Sequence, residues 1–171
     1  MINVEKIRII NDFPVAGIKF YDITTLMNDP DAYQNAFEEL LETARALKPD
    51  VIVALETRGY FFGPSLALAL HIPFVPIRKK GKLPYKTFSQ SYDLEYGKDS
   101  IEIHQESIKP GSRILIFDDI LATGGTATAA IKLVKHFAPA STDVLFLMEL
   151  GALKGREKLA EANSVNSLLT V

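Results

Sequence analysis

The sequence predicts an α/β fold in which helices flank a mostly parallel central sheet. Short apolar runs, each suited to a strand that is buried on both faces, recur at 51–55, 72–77, 114–117 and 143–150. Stretches with apolar residues at helical spacing separate these runs, and such alternation is typical of parallel sheets. The chain has 171 residues, of which 47% are hydrophobic and 23% are charged. We therefore expect one domain, 1–171, with a sizeable core.

In the N-terminal half, the pattern predicts a short helix at 4–10, which the following Phe-Pro pair and glycine end. Asp29 is a suitable N-cap for a long helix, and Pro30 is a suitable first residue. Apolar residues then recur at helical spacing as far as Leu47, where Lys-Pro-Asp ends the helix. After the strand at 51–55, a second helix is predicted at 61–70.

In the C-terminal half, about 78–104 is rich in proline, glycine and tyrosine and has no clear period. We expect it to form a flexible flap that includes a short hairpin. The strand at 114–117 leads to a helix, and 143–150 is the last apolar strand. The charged and apolar residues of 153–162 predict an amphipathic helix that faces solvent, and 164–171 is expected to be an edge strand.

Composition excludes several classes of site and partner. A net charge of −2 argues against a large nucleic-acid surface. Because there is no cysteine, disulfides, thiolate catalysis and thiolate-bound metals are excluded. The three histidines, His71, His104 and His136, have no metal-ligand spacing. The sequence has neither a signal-peptide layout nor an apolar stretch that could span a bilayer, so we expect a cytoplasmic protein without membrane contact.

The clearest functional signal is the stretch 113–130. Asp118 and Asp119 follow a buried strand, and the small-residue turn 122–126 leads into a helix. The two glycines of the turn allow positive φ and close approach of a ligand, and the first N–H groups of the helix form an anion site. Because carboxylates only accept hydrogen bonds, the acidic pair suits hydroxyl groups or a metal. A sugar phosphate satisfies both halves; an ordinary capped turn is the structural alternative.

Two other nucleotide sites lack their motifs. A P-loop requires a glycine five residues before a Gly-Lys pair, and Pro76 and Tyr92 stand at those positions. No two glycines are spaced G-x-G, so the dinucleotide fingerprint is absent as well. Arg58 follows the strand at 51–55 and is a candidate for a second phosphate group. The four cations of 78–82 suit a solvated surface or a pyrophosphate group.

The stretch 113–130 resembles the phosphoribosyl pyrophosphate (PRPP) signature of type I phosphoribosyltransferases. This signature consists of four apolar residues, two acids and a Thr-Gly-Gly-Thr-like loop. Further matches cover nearly the whole chain and are closest to the adenine phosphoribosyltransferase family. They include Glu56-Thr57-Arg58-Gly59, Ile77-Arg78-Lys79, Leu94-Glu95-Tyr96-Gly97-Lys98 and Leu153-Lys154-Gly155-Arg156.

The resemblance implies the type I phosphoribosyltransferase fold with a small N-terminal hood, about 1–30, over the base site. It also implies the conversion of adenine and PRPP to AMP and pyrophosphate in purine salvage, with Mg²⁺, by a homodimer. The implied site residues are Ala122, Thr123, Gly124, Gly125 and Thr126 for the 5′-phosphate, Asp118 and Asp119 for the ribose hydroxyls, Thr57, Arg58, Gly59, Lys79 and Lys80 for pyrophosphate, Lys19, Phe20, Tyr21 and Leu150 for adenine, and Glu95 as the catalytic acid/base, with no direct protein ligand for the metal.

Two alternatives remain open from the sequence. A related enzyme of this fold takes xanthine, guanine or hypoxanthine instead of adenine, and Tyr21 stands where many relatives of the adenine branch have arginine. The other alternative is a regulator that senses PRPP or purines without catalysis. Such regulators commonly carry an added DNA-binding domain, for which 171 residues leave no room.

Overall fold

The computed structural model describes residues 4–93 and 97–171, and its centre is a seven-stranded sheet. A separate two-stranded antiparallel ribbon precedes this sheet. The ribbon strands are β1 (Arg8–Asn11) and β2 (Lys19–Asp22), and the sheet strands are β3 (Val51–Leu55), β4 (Phe74–Lys79), β5 (Thr87–Asp93), β6 (Lys98–His104), β7 (Arg113–Leu121), β8 (Ser141–Glu149) and β9 (Ser164–Thr170).

The sheet is mostly parallel, as predicted. Its order is β5-β6-β4-β3-β7-β8-β9, and five strands, β4, β3, β7, β8 and β9, run parallel to one another. The hairpin of β5 and β6 adds an antiparallel edge. The mixed α/β fold class is therefore confirmed.

In the described part of the chain, four α-helices accompany the sheet: α1 (Thr24–Met27), α2 (Pro30–Leu47), α3 (Gly63–Leu70) and α4 (Gly125–Val134). The predicted start of α2 is confirmed, because the Asp29 side chain accepts a hydrogen bond of 3.1 Å from the Ala32 N–H and Pro30 is the first residue. Lys48 ends this helix in the left-handed conformation.

The sheet separates two apolar cores. Alternate residues of β3 point to opposite faces, so Val53 packs in the core that includes α4, and Ile52 packs in the core that includes α2 and α3. All five residues of β3 are buried. This burial on both faces explains why the strand reads as a continuous apolar run.

Two predicted helices are wrong. Residues 4–10 form a 3₁₀ turn at Val4–Lys6 and then β1, because β1 pairs with a strand that lies eight residues further on. Residues 153–162 form no α-helix but two 3₁₀ turns, Gly151–Leu153 and Gly155–Lys158, since Lys154 between them has a φ of 52°.

Several strands differ in length or position from the prediction. Strand β7 continues past the apolar run to Leu121, so the acidic pair lies within the strand instead of after it. Strand β4 begins two residues later than predicted and reaches Lys79, and the predicted short hairpin has two seven-residue strands. In the described ranges, no helix has the length and apolar character needed to cross a membrane.

Candidate active site

The predicted site residues gather at one edge of the sheet. Strands β3, β4, β7 and β8 are parallel, so their carboxyl ends open onto the same edge. Residues 56–59 follow β3, Lys79 ends β4, the acidic pair lies near the end of β7, and Leu150 follows β8. This edge is where open α/β sheets bind their ligands.

The small-residue turn (122–126) leads from β7 into α4. Gly124 is the N-cap of α4 and has a φ of 79°, which favours glycine, whereas Gly125 does not have a positive φ. The turn surrounds a cavity of about 80 Å³ that Asp118 and Phe146 also line. The N–H groups of the first helical turn have no partner within the helix, so the cavity suits an anion.

Gly155 supports this turn from behind, and sequence reasoning missed its role. A Cβ atom on Gly124 would lie 2.5 Å from the Gly155 carbonyl oxygen. A Cβ atom on Gly155 would overlap the Ala122 carbonyl oxygen and would lie 3.0 Å from the Gly124 nitrogen. The two backbones are therefore in direct contact. The Leu-Lys-Gly-Arg match was the available signal, but the predicted helix placed it on the surface.

The acidic pair lies at the floor of the site. Asp119 is buried, and Asp118 is partly exposed and accepts a 3.0 Å hydrogen bond from the Asp119 N–H. Burial raises the pKa of Asp118 well above its usual value, and the charge of Asp119 raises it further. Burial also raises the pKa of Asp119, against the opposing effect of Arg58. Both carboxyl groups thus gain from a ligand that donates hydrogen bonds.

Arg58 connects the acidic pair to the N-terminal ribbon. Its Nε atom lies 2.9 Å from Asp119 Oδ2, which accepts no hydrogen bond from any described residue. Its guanidinium carbon lies 5.2 Å from the centroid of the Phe20 ring, a cation–π distance. Arg58 therefore occupies the space between Phe20 and the carboxylates. Gly59 fits closely here, because a Cβ atom would lie 3.3 Å from Asp118 Oδ1.

The cation loop (78–82) divides into one structural cation, Arg78, and three solvent-facing lysines. Arg78 lies 3.0 Å from Glu56 Oε1, and the pKa of Glu56 is lowered mainly by this side-chain hydrogen bond. The Lys79 side chain lies 3.2 Å from Asp99 Oδ2, and Lys80 is exposed. Glu56, which follows β3, thus pairs with Arg78 of the neighbouring strand β4. Arg58, two residues after Glu56, pairs with the acidic pair instead.

The predicted base-binding residues lie on two sides of the site. Phe20 packs edge-on against Phe13, with ring centroids 5.2 Å apart, while Lys19 is exposed. Tyr21 and Leu150 both pack partly buried against the core that includes α2 and α3.

Thr57, predicted for the pyrophosphate side, precedes the 3₁₀ turn Arg58–Phe61. Glu95, the predicted acid/base, lies outside the described residues.

An ion pair between exposed Arg156 and buried Glu149, which sequence reasoning also missed, holds the segment after β8. The Arg156 Nε atom lies 3.0 Å from Glu149 Oε1, and the Ser167 hydroxyl donates a 2.8 Å hydrogen bond to Glu149 Oε2. Glu149 is only 6% exposed. The contact fixes the segment that carries Leu150 at one end and Gly155 at the other.

The described residues offer few metal ligands of their own. Within 4–93 and 97–171, no three histidine, aspartate or glutamate side chains converge on one point. The acidic pair supplies carboxylate oxygens, which Mg²⁺ prefers, and Asp119 Oδ2 has an acceptor position to spare. A magnesium ion therefore fits this edge only if a bound phosphate compound and water supply most of its ligands.

Comparison with known proteins gives consistent results. The family model of the phosphoribosyl transferase domain matches residues 23–164. The adenine phosphoribosyltransferase of Desulfitobacterium hafniense is 50% identical over 163 residues, which are 95% of this chain and 94% of that protein. The crystal structure of adenine phosphoribosyltransferase from Thermoanaerobacter pseudethanolicus has a TM-score of 0.93 at 44% identity and covers 99% of this chain and 100% of its own.

A third comparison includes a bound base. The Saccharomyces cerevisiae adenine phosphoribosyltransferase, complexed with an imino-altritol bisphosphate and adenine, has a TM-score of 0.86 at 44% identity. The match covers 94% of this chain and 93% of the yeast chain.

Proposed function

This chain belongs to the phosphoribosyl transferase family, within its adenine branch, and we propose that the cleft at the carboxyl edge of its sheet carries out that branch's reaction. Adenine phosphoribosyltransferases are pentosyltransferases of purine salvage that convert adenine and PRPP to AMP and pyrophosphate. The resemblance and the fold that the sequence predicted are thus confirmed. The residue roles below are our proposal.

The single observation that carries the proposal is the arrangement around the acidic pair. An anion cavity, the acidic pair, an arginine and an aromatic ring follow one another across one edge of the sheet. In this order they suit a 5′-phosphate, a ribose, a pyrophosphate group and a base. Ala122, Thr123, Gly124, Gly125 and Thr126 would bind the 5′-phosphate, and Asp118 and Asp119 would accept hydrogen bonds from the ribose hydroxyls.

In this reaction the protein has to position the two substrates and to stabilise the charge that develops on the sugar. When pyrophosphate leaves C1 of the ribose, the sugar gains positive charge, and N9 of adenine is the nucleophile. The carboxylates of Asp118 and Asp119 lie in a desolvated place and favour that charge. Holding both substrates in line, away from water, supplies much of the remaining rate.

Arg58 is proposed to change partners when PRPP binds. Its guanidinium group, which now faces Asp119, would turn to the pyrophosphate oxygens, with which it can form paired hydrogen bonds. The same movement would free Asp119 for the ribose and uncover the Phe20 ring for adenine. Thr57, Gly59, Lys79 and Lys80 complete the proposed pyrophosphate side.

Mg²⁺ is the proposed cofactor and would be held mainly through PRPP oxygens, with Asp118 and Asp119 as neighbouring acceptors. When bound, it supplies positive charge that stabilises the departing pyrophosphate. The family's use of PRPP with Mg²⁺ supports this assignment.

Adenine is proposed to stack on Phe20, with Leu150 on its other side and the main chain of Lys19 and Tyr21 at its amino edge. Because these main-chain contacts need no arginine side chain, Tyr21 is compatible with adenine. Glu95 is proposed as the acid/base partner of the base ring, from the family match alone. A homodimer in the cytoplasm remains a prediction.

Product formation tests the proposal. The protein is supplied with PRPP and Mg²⁺, and adenine, hypoxanthine, guanine and xanthine are offered separately. We expect AMP from adenine and little product from the oxopurines. Turnover of an oxopurine instead would overturn the base assignment, and PRPP binding without any turnover would indicate a sensor.

A further inference from the structure

Lys79 has a second anionic partner besides the pyrophosphate group proposed above. Its ammonium nitrogen lies 3.2 Å from Oδ2 of Asp99, which stands near the start of β6. Asp99 is directly opposite Tyr92 of β5, and the Tyr92 hydroxyl lies 3.4 Å from the same carboxylate oxygen. The hairpin thus places a carboxylate beside a cation of the proposed pyrophosphate side.

Asp99 is fixed, whereas Lys79 is free to move. Oδ1 of Asp99 accepts a 2.8 Å hydrogen bond from the Ser100 N–H, and Oδ2 faces Tyr92. Tyr92 packs partly buried against the core that includes α4, and this burial raises its pKa. The Lys79 side chain is 60% exposed, while that of Asp99 is 25% exposed. When the ion pair between Lys79 and Asp99 breaks, it is therefore the lysine side chain that moves to another partner.

We propose that Asp99 competes with pyrophosphate for Lys79, so that this carboxylate weakens the retention of pyrophosphate in the site. The inference rests on the pyrophosphate role of Lys79 given under the proposed function. Without pyrophosphate, Asp99 neutralises the lysine; when pyrophosphate binds, Lys79 leaves Asp99; when pyrophosphate departs, the carboxylate takes the lysine back. No covalent step is involved.

Charge supports the competition. The Ser100 N–H and Lys79 hold the pKa of Asp99 below its usual value, and Asp99 raises that of Lys79, so both groups are ionised at neutral pH. A partly exposed ion pair is weak and changes an equilibrium constant by about fivefold at most. The pair is therefore easy to exchange yet strong enough to change the affinity for pyrophosphate several-fold.

Asp99→Asn is the decisive variant, because asparagine keeps the shape and an acceptor for the Ser100 N–H and removes the charge. We expect the inhibition constant of pyrophosphate, measured in AMP formation, to fall about two- to fivefold. The effect should shrink at high salt, since it is electrostatic. The KM for adenine should stay unchanged. Asp99→Ala, as a second variant, should also tighten pyrophosphate binding.

Asp93→Asn is the matched control. Asp93 lies on the paired strand of the same hairpin, its side chain is highly exposed, and its partner Lys98 is 3.9 Å away. The substitution removes the same charge, so an equal tightening would show a general charge effect and overturn the proposal. An unchanged or raised inhibition constant in Asp99→Asn would overturn it as well, since Asp99 would then only position Lys79.

Lys79→Ala separates this inference from the proposed function. If Lys79→Ala weakens pyrophosphate inhibition, the role of Lys79 holds, and Asp99→Asn alone decides the competition. In the Lys79→Ala background, Asp99→Asn should no longer tighten binding. If Lys79→Ala leaves pyrophosphate inhibition unchanged, Lys79 does not bind pyrophosphate, and both the role and the competition fail, even where AMP formation confirms the reaction.

Discussion

Replacing Gly155 with alanine should disable the small-residue turn from behind. Gly155 does not have a positive φ, so alanine costs no backbone strain there, and only the close approach requires glycine. The added Cβ would overlap the Ala122 carbonyl oxygen and would lie 3.0 Å from the Gly124 nitrogen. Both atoms are backbone, so a side-chain rotation cannot relieve the contact.

The magnitude follows from the displacement. Restoring an ordinary contact requires the turn and the Gly155 segment to separate by roughly 1 Å, and a misplacement of that size can cost about a hundredfold in rate. We expect kcat/KM for PRPP to fall about a hundredfold, which corresponds to about 2.7 kcal/mol. Overpacking typically costs about 1–3 kcal/mol of stability, and a chain of this size loses about 2–4 °C in melting temperature per kcal/mol.

The assay is steady-state kinetics with PRPP and adenine varied in turn, together with thermal unfolding. Gly151→Ala is the control. Its added Cβ would lie 3.3 Å from Thr170 Cγ2 at the end of β9 and would not contact the small-residue turn. It should leave kcat/KM for PRPP nearly unchanged. If Gly155→Ala lowers kcat/KM for PRPP by less than about threefold while the protein stays folded, the supporting role of Gly155 is refuted.

Three further substitutions test separate parts of the site. Asp118→Asn should lower kcat/KM about ten- to hundredfold and yet raise the melting temperature at pH 7. Because burial raises the pKa of Asp118 in the folded chain, ionisation begins to cost stability once the pH exceeds the ordinary carboxyl pKa, and the cost is complete above the raised pKa. The difference from wild type should therefore shrink as the pH falls below the raised pKa and vanish near the ordinary one. Phe20→Ala should raise KM for adenine about tenfold or more, because stacking of a base is worth about 1–3 kcal/mol, while calorimetry should show unchanged PRPP affinity; equal losses for both substrates would argue against stacking. Glu95→Gln should lower turnover about 10²- to 10⁴-fold with PRPP affinity nearly unchanged, and a matching loss of affinity would remove Glu95 from its acid/base role.

The parts of the fold that the sequence predicts well are those set by burial and capping. Strand β3 is buried on both faces and reads as an apolar run, and the start of α2 carries its own N-cap. The end of β7 was missed, because Asp118 interrupts the apolar run while pairing with β8 continues as far as Leu121 and Glu149. Strand β1 was missed because it is formed by pairing with β2, which lies further along the chain.

The segment after β8 shows a different limit. Residues 153–162 have the composition of an amphipathic helix, but Lys154 adopts a positive φ and Gly155 packs on the small-residue turn. Tertiary contact, which no local pattern contains, overrides helix propensity here.

For the site, residue chemistry predicts which side chains suit anions and hydroxyls, but not how these side chains pair. In the structure, Glu56 pairs with Arg78 and Arg58 pairs with Asp119, because these partners come from neighbouring strands of the sheet. Such partners are set by strand order and register, which become known only from the folded chain.

The most direct test of the account is a crystal structure of the protein with PRPP and Mg²⁺. We expect the 5′-phosphate on the backbone N–H groups of the small-residue turn and the ribose hydroxyls on Asp118 and Asp119. We also expect Arg58 to have left Asp119 for the pyrophosphate oxygens. A 5′-phosphate bound away from the turn, or an Arg58 that still pairs with Asp119 beside bound pyrophosphate, would contradict it.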